Sequence, residues 1–498
     1  MPQVGFEVLR EGRRRRLRVP AALVFFRRNL RLDDNRPLDA ALRAAESVVP
    51  VFVPDESARA ENSSPAGRSF LLDSLRDLAK AVEEKGSRLV VRKGPVDVAL
   101  AALARETGAD AVFTHADHEP EGRRLLASLR RTLGAAGVAL HAVEDLLLVP
   151  PDVLATEGGK PFEVFTPFSR RWLESDKEPP VPEPVRLPTP EAVLSPHLPS
   201  IPLDEPSDPD AAATLRAPRG GAREARRVWN AFRESALLRY AEGRDRPDLP
   251  GTSRLSPHLR FGTIGIRRIL FEAREAWKEA SPAGRRSVET FIKELAWREF
   301  YAGILFHHPR VLTESFRTGY DAFGWREGEE ADRHFAAWAA GATGYPIVDA
   351  GMRQLLAEGW MHNRVRMIVA SFLTKDLLVD WRRGEQFFRR HLADFDPASN
   401  NGGWQWAAGS GTDAQPFFRI FNPVLQGRRF DPDAAYVKRW IPELGGSPSR
   451  PAPGGLHAPW TLETPPKNYP APVVDHAAAR AEALAAFAKL KDAASKKG

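Results

Sequence analysis

The sequence predicts two unlike parts, an α/β Rossmann-like N-terminal domain followed by an all-helical C-terminal domain. Three observations carry this. Short apolar runs alternate with helical patterns over residues 21–145. From about residue 222 long helical spacings take over, without clear strands. Eleven of the 12 tryptophans lie after residue 220, so the two halves are built from different material. A chain of 498 residues with 43% hydrophobic and 28% charged residues has the length and composition for such cores.

The elements follow in order. Residues 1–20 carry Arg13 to Arg16 and read as a disordered basic end. Ala22–Phe26, Ser47–Val53, Arg88–Val91, Ala111–Thr114 and Ala139–Val143 are short apolar runs suited to buried parallel strands. Between them Phe70, Leu71, Leu75, Leu78 and Val82 repeat at helix spacing. This βαβαβ order implies a doubly wound domain over 21–150. A G-x-G-x-x-G fingerprint is missing, which argues against a nicotinamide dinucleotide site. Residues 151–221 read as a connector, because 179–218 holds twelve prolines and cannot form regular structure. Residues 222–470 form the helical part, with Phe291, Leu295, Phe300 and Leu305 as core spacing. Residues 471–498 read as an Ala- and Lys-rich helix at a solvated end.

Composition removes several chemistries. With no cysteine there is no disulfide framework, zinc finger, iron–sulfur cluster or thiol nucleophile. Histidines are scattered, so no metal site is expected, and no G-x-S-x-G elbow supports serine hydrolysis. No apolar run reaches the ~20 residues of a membrane span, and no signal-peptide core follows the arginines, so a cytoplasmic protein is expected. The net charge of +7 permits nucleic acid as partner, though such an excess is common in plain enzymes.

Four stretches carry candidate chemistry. Gly251-Thr252-Ser253-Arg254-Leu255-Ser256-Pro257 places a serine N-cap and an N1 proline at a helix start, with hydroxyls and an arginine suited to a phosphate; an ordinary capped helix is the plainer reading. Glu294, Trp297, Arg298 and Tyr301 share one helical face, either a pocket wall or a surface Glu294–Arg298 pair. Trp360, Asn363, Arg364 and Met367 share another, mixing groups as a cavity lining does; His362 lies off that face and reads as structural. Asp394 to Trp406 combines Asp, Asn, Gly and Pro as a tight turn would, but carries two tryptophans and carboxylates that need partners, with Arg366 an obvious one.

At these residues the sequence resembles the photolyase/cryptochrome family over about residues 20–470. The blocks are Arg27 to Asn35, Lys160 to Phe168, Gly344 to Ala350, Trp360 to Arg364, Asp380-Trp381, Asn400 to Trp406 and Phe417 to Pro423, in the family's order. The resemblance implies an α/β antenna domain joined to a helical FAD-binding domain. It is nearest the class I cyclobutane pyrimidine dimer photolyases. The (6-4) branch places a histidine where Asn363 stands, and signalling cryptochromes carry long C-terminal extensions. A cryptochrome-like photoreceptor and a (6-4) photolyase are the alternative readings.

Carried over by position, Tyr240, Thr252, Ser253, Arg254, Leu255 and Ser256 would hold the FAD phosphates and ribityl chain. Arg366, Asp394, Phe395 and Asp396 would contact the flavin region, and Asn400 would face N5, both donating and accepting. Glu294 would bond the flipped bases, beside Asn363 and Met367, with Trp297 and Trp406 as flat walls. Arg244, Arg364, Arg419 and Gln426 would bind DNA phosphates around the lesion, with Arg428 a further candidate. Trp404, Trp381 and Trp325 match the family's electron-transfer chain, with Trp338 the alternative exit. The folate-binding members use an acid and a lysine where this chain has Gly122 and Thr313, so folate is not expected; a deazaflavin, a flavin or an empty antenna cleft stays open. The implied partner is ultraviolet-damaged DNA and the implied state a monomer.

Overall fold

A computed structural model of the chain describes residues 19–54, 64–194, 216–414, 416–417, 419–445 and 455–495. The basic stretch 1–18 and the 195–215 part of the proline-rich connector lie outside the described residues. Five strands, β1 (Val19–Phe26), β2 (Ala45–Phe52), β3 (Val90–Val91), β4 (Ala111–His115) and β5 (Ala139–Val143), form one sheet in the order β3-β2-β1-β4-β5. Every pairing is parallel. Helices α1 (Arg36–Ala44), α2 (Pro65–Glu84), α3 (Val96–Thr107) and α4 (Pro120–Ala135) make the crossovers. Along β1 the alternation splits the core in two, with Leu23 and Phe25 on one face and Val24 and Phe26 on the other.

The sequence order reverses between β1 and β4. Loops leaving the carboxyl ends of those strands therefore border a crevice, the usual ligand position in a doubly wound sheet. Arg28 follows β1, and Asp117 and Glu119 follow β4. One strand departs from expectation. β5 was expected buried but is the edge strand, paired only with β4, and is half-exposed along its length.

The connector runs back along this domain. Val48 N donates to Pro188 O at 2.7 Å and Leu187 N to Lys85 O at 2.9 Å, and one helical turn, Glu191–Leu194, interrupts its extended path. The remaining described chain is helical. Helix α5 (Phe165–Glu174) packs on a 26-residue helix, α9 in chain order, after α6 (Ala222–Ser235), α7 (Ser256–Phe261) and α8 (Ile266–Glu279). This α9 (Pro282–His307) begins on Ser281, whose hydroxyl accepts from Gly284 N at 3.2 Å, with Pro282 at N1. Its Phe291, Leu295 and Phe300 are buried as the spacing predicts. Then come α10 (Gly328–Ala340), α11 (Pro346–Glu358), α12 (Asn363–Ser371), α13 (Trp381–His391), α14 (Pro397–Ala408), α15 (Pro423–Phe430) and α16 (His476–Ser495).

Three local expectations are corrected. The plainer tight-turn reading of Asp394 to Trp406 falls away: Asp396 caps α14, its Oδ1 accepting from Ser399 N at 2.9 Å, and Gly409 ends it in the left-handed region at φ 85°. Ser256 is the first residue of α7 and not its cap; its hydroxyl accepts from Trp360 Nε1 at 3.3 Å. The tail helix α16 is docked and not free. Ala483 is fully buried, and Phe487 stacks on Phe417 with ring centroids 4.4 Å apart. No helix among the described residues is long and apolar enough to cross a membrane.

Candidate active site

A cavity of about 480 Å³ opens between α7, α9, α12 and α14. The structure brings to its wall Tyr240, Arg244, Ser253, Leu255, Ser256, Glu294, Trp297, Asn363, Arg366, Met367, Asp394, Asp396, Asn400, Trp404 and Trp406. Helix geometry does most of this. On α9 the i, i+3, i+4, i+7 stripe Glu294, Trp297, Arg298 and Tyr301 all face the cavity. A surface Glu294–Arg298 pair does not form: Arg298 Nη1 donates to Leu146 O at 3.0 Å, and Glu294 accepts from Arg244 Nη1 at 2.7 Å. Gly402 lets α14 approach that stripe, since a Cβ there would lie 2.2 Å from Tyr301 Cδ1.

On α12, Asn363, Arg366 and Met367 reach the cavity, but Trp360 and Arg364 do not. Trp360 precedes the helix and is buried under the Arg254 guanidinium, 4.2 Å from its ring. Arg364 turns to Asp245 at 2.8 Å. His362 caps α12 through Nδ1, which accepts from Arg364 N, a structural role. Arg254 lies away from the cavity, on Trp360 and 3.6 Å from Glu358, in the left-handed region at φ 50°. Thr252 and Phe395 do not line the wall either; Phe395 is buried beneath Arg389.

The charges are paired. Arg366 Nη2 donates to Asp394 Oδ2 at 2.8 Å, as expected, while Asp394 Oδ1 is buried without a hydrogen-bond partner. Burial raises Glu294 above the usual glutamate range, with Arg244 pulling the other way. Burial would also raise Asp396, but Arg260, Arg28 and Arg298 outweigh it and hold Asp396 down at about 2. Asn400 spends its amide on α13: Nδ2 donates to Glu385 Oε1 at 2.8 Å and to Glu385 O at 3.2 Å. With both amide hydrogens used, Asn400 has Oδ1 left as an acceptor. The expectation that it would both donate and accept is corrected.

The far wall is aromatic. Trp404 lies edge-on to Phe388 at 5.0 Å and to Trp338 at 5.9 Å. Gly384 makes room for it, since a Cβ there would sit 2.1 Å from Trp404 Cη2. Trp381 is buried at the start of α13. Trp325 packs on Phe323 at 4.5 Å beside the docked tail. Trp338 is wholly buried and so is not itself a surface exit. Arg419 and Arg428 are exposed and Gln426 half-exposed, none on the cavity wall. Trp297 stacks on Phe165 with centroids 3.6 Å apart, which fixes that ring at the cavity mouth. Gly122 faces Asp117; a Cβ at 122 would meet the Asp117 carboxyl carbon at 2.0 Å, so this packing leaves no space for an acidic side chain there.

The sequence did not single out Arg260, Phe165, Glu385 or Gly384. Its signals for them are weak, because each acts through a neighbour distant in the chain.

The donor set suits a flavin dinucleotide. It has hydroxyls, guanidiniums and an open carboxylate acceptor for the polar parts, and flat apolar walls for the ring. Comparison with known proteins agrees. Residues 22–186 match the family described as DNA photolyase, and residues 291–489 match the FAD binding domain of DNA photolyase. The deoxyribodipyrimidine photo-lyase of Halobacterium salinarum is 43% identical over 94% of this chain and 99% of its own. A class III photolyase structure from Agrobacterium tumefaciens superposes with a TM-score of 0.87 at 40% identity, covering 95% of this chain and 98% of that one. A photolyase from Sulfolobus tokodaii, solved with two FAD molecules, gives 0.79 at 32% identity over 94% and 100%. With an N-terminal photolyase domain and an FAD-binding helical domain in one chain, this protein belongs to the DNA photolyase family.

Proposed function

We propose that the protein repairs cyclobutane pyrimidine dimers in DNA under light. One observation carries the reading: Glu294, Asn363, Met367, Trp297 and Trp406 line the same cavity as Arg366, Asp394 and Asn400. Groups suited to a base pair face and groups suited to a flavin share one space. When bound, reduced FAD would lend the light-driven electron that opens the cyclobutane ring and would take it back once the ring has split.

The chain's own residues do the rest. Ser253, Ser256 and Arg298 would hold the diphosphate, and Asp394 Oδ1 offers an acceptor to the ring system. Asn400 Oδ1, with its amide hydrogens given to Glu385, would be the acceptor for a protonated flavin nitrogen, which would favour the reduced form. The lesion leaves the duplex to reach this depth, and its weakened pairing lowers that cost. Trp297 and Trp406 flank the flipped bases. Glu294 would hydrogen-bond the flipped bases, and Arg244 keeps it in place. Arg244, Arg364, Arg419 and Gln426 meet phosphates, giving affinity without base preference. Trp404, Trp381 and Trp325 would carry electrons from the surface when the flavin is oxidised.

The test is blue-light treatment of ultraviolet-damaged oligonucleotides with the reduced holoenzyme. Light-dependent loss of dimers is expected; retention of all dimers under light would overturn the reading.

A further inference from the structure

The crevice at the β1/β4 switch point holds a charged cluster that reaches across to the helical domain. Glu119 Oε1, at the start of α4, accepts from Arg28 Nη1 and from Arg260 Nη1, each at 2.5 Å. Arg260 Nη1 lies 3.3 Å from Asp396 Oδ2, and Arg28 Nη2 lies 3.6 Å from the same oxygen. Arg28 also reaches across the domains by a backbone route, its Nε donating to Arg260 O at 3.4 Å. The four side chains are 15–19% exposed. Asp396 and Arg260 line the flavin cavity; Glu119 and Arg28 do not.

Two guanidiniums in one poorly solvated place repel each other unless an anion lies between them. Asp396 alone cannot serve both at close range: its Oδ1 is committed to the cap of α14, and both arginines approach Oδ2 at more than 3.2 Å. Glu119 supplies the missing anion. Asp117 is shared between Arg27 at 3.4 Å and Arg28 at 3.7 Å, so Glu119 is the close anion for Arg28 and Arg260 together. Removing Glu119 leaves Arg28 and Arg260 facing one another. Arg28, left with Asp117 at 3.7 Å and Asp396 at 3.6 Å, would then compete with Arg260 for Asp396 Oδ2.

We propose that Glu119 is a positioning residue of the flavin site, the counter-ion that keeps Arg28 from competing with Arg260 for Asp396. The proposal rests on reading the cavity as the flavin site.

The experiment measures FAD retention by the full-length holoprotein, from the fluorescence of released flavin on dilution. Glu119→Gln is expected to weaken retention by about tenfold, as loss of one partner of a poorly solvated pair does. Glu119→Gln combined with Arg28→Gln restores charge balance and is expected to retain FAD within about threefold of the parent chain. A packing role alone would make the double variant as weak as the single one or weaker, and that result would overturn the proposal. So would normal retention in the single variant. Should Glu119→Gln fail to fold, the double variant still decides, since it must fold and keep FAD. Asp396→Asn tests the cavity reading separately: retention unchanged there would sink that reading and the proposal with it, whereas loss there with normal retention in Glu119→Gln would sink the proposal alone.

Discussion

The two walls of the cavity are built on different physics. One wall is a set of matched charges: Glu294 with Arg244, Asp394 with Arg366, Asp396 with Arg260. The other is apolar and ring-lined, with Trp404 set between Phe388, Trp338 and Gly384. The charged wall fixes direction, because each pair has one best geometry and breaking it strands a charge. The aromatic wall fixes distance, because close-packed rings cannot shift without overlap. A redox cofactor needs both, orientation from one side and a rigid path from the other.

Loss on the charged side should be largest. In Asp394→Asn the Arg366 guanidinium loses the charge of a carboxylate that is 1% exposed, and stability is expected to fall by about 3 kcal/mol. Thermal unfolding of the apo chain and FAD retention both measure it; a chain as stable as its parent would place this pair outside the structural core of the site.

On the aromatic side the sharpest probe adds atoms. Gly384→Ala drives a methyl into Trp404 and Leu373 and should cost about 2 kcal/mol in unfolding experiments. It should also slow photoreduction of oxidised flavin, through displacement of Trp404. Slowed photoreduction without any loss of stability would mean that the wall yields, contrary to the comparison.

Trp404→Phe shrinks a side chain that is 2% exposed and should cost about 1 kcal/mol. Photoreduction should be lost, while repair by chemically reduced enzyme persists. Repair lost together with photoreduction would give Trp404 a place in the charged wall's work.

The smallest effect concerns a charge on the wrong side. Lys375, wholly buried beside the Phe417 ring, donates to Arg419 O at 3.0 Å, and burial pushes its amine down to about 7. Between that value and the ordinary 10.5 the folded chain holds fewer protons than the unfolded one. Stability from this site therefore rises with pH through that window and falls as pH drops toward 7. Lys375→Met should flatten this dependence and gain about 1 kcal/mol near neutrality. Melting temperatures at pH 7 and 9.5 measure it, and identical slopes in the two proteins would remove the assignment.

Much of the molecule was legible because its signals are local. Apolar runs marked the strands, and i, i+3, i+4, i+7 stripes marked the faces of α9 and, in part, α12. Where the reading went wrong, tertiary contact outweighed local composition. Asp396 to Trp406 has turn residues, yet its aspartate caps a helix and Gly402 lets Tyr301 come close. The Ala-rich tail has the look of a solvated end, yet Phe487 finds Phe417, seventy residues away in the chain. Trp360 and Arg364 fit a stripe, but α12 starts at Asn363, so the phase of that stripe fails at its first member.

The sequence by itself determined the two-part fold, the absence of thiol chemistry and most residues of the cavity wall, because periodicity and residue type act within one element. Only the tertiary structure decided how charges are shared. Glu294 goes to Arg244 and not to Arg298, Asn400 gives its amide to Glu385, and Glu119 joins two arginines more than two hundred residues apart. Pairing depends on distances across elements and on burial, which raises the cost of every unmatched charge, and neither quantity is written in any single stretch of chain.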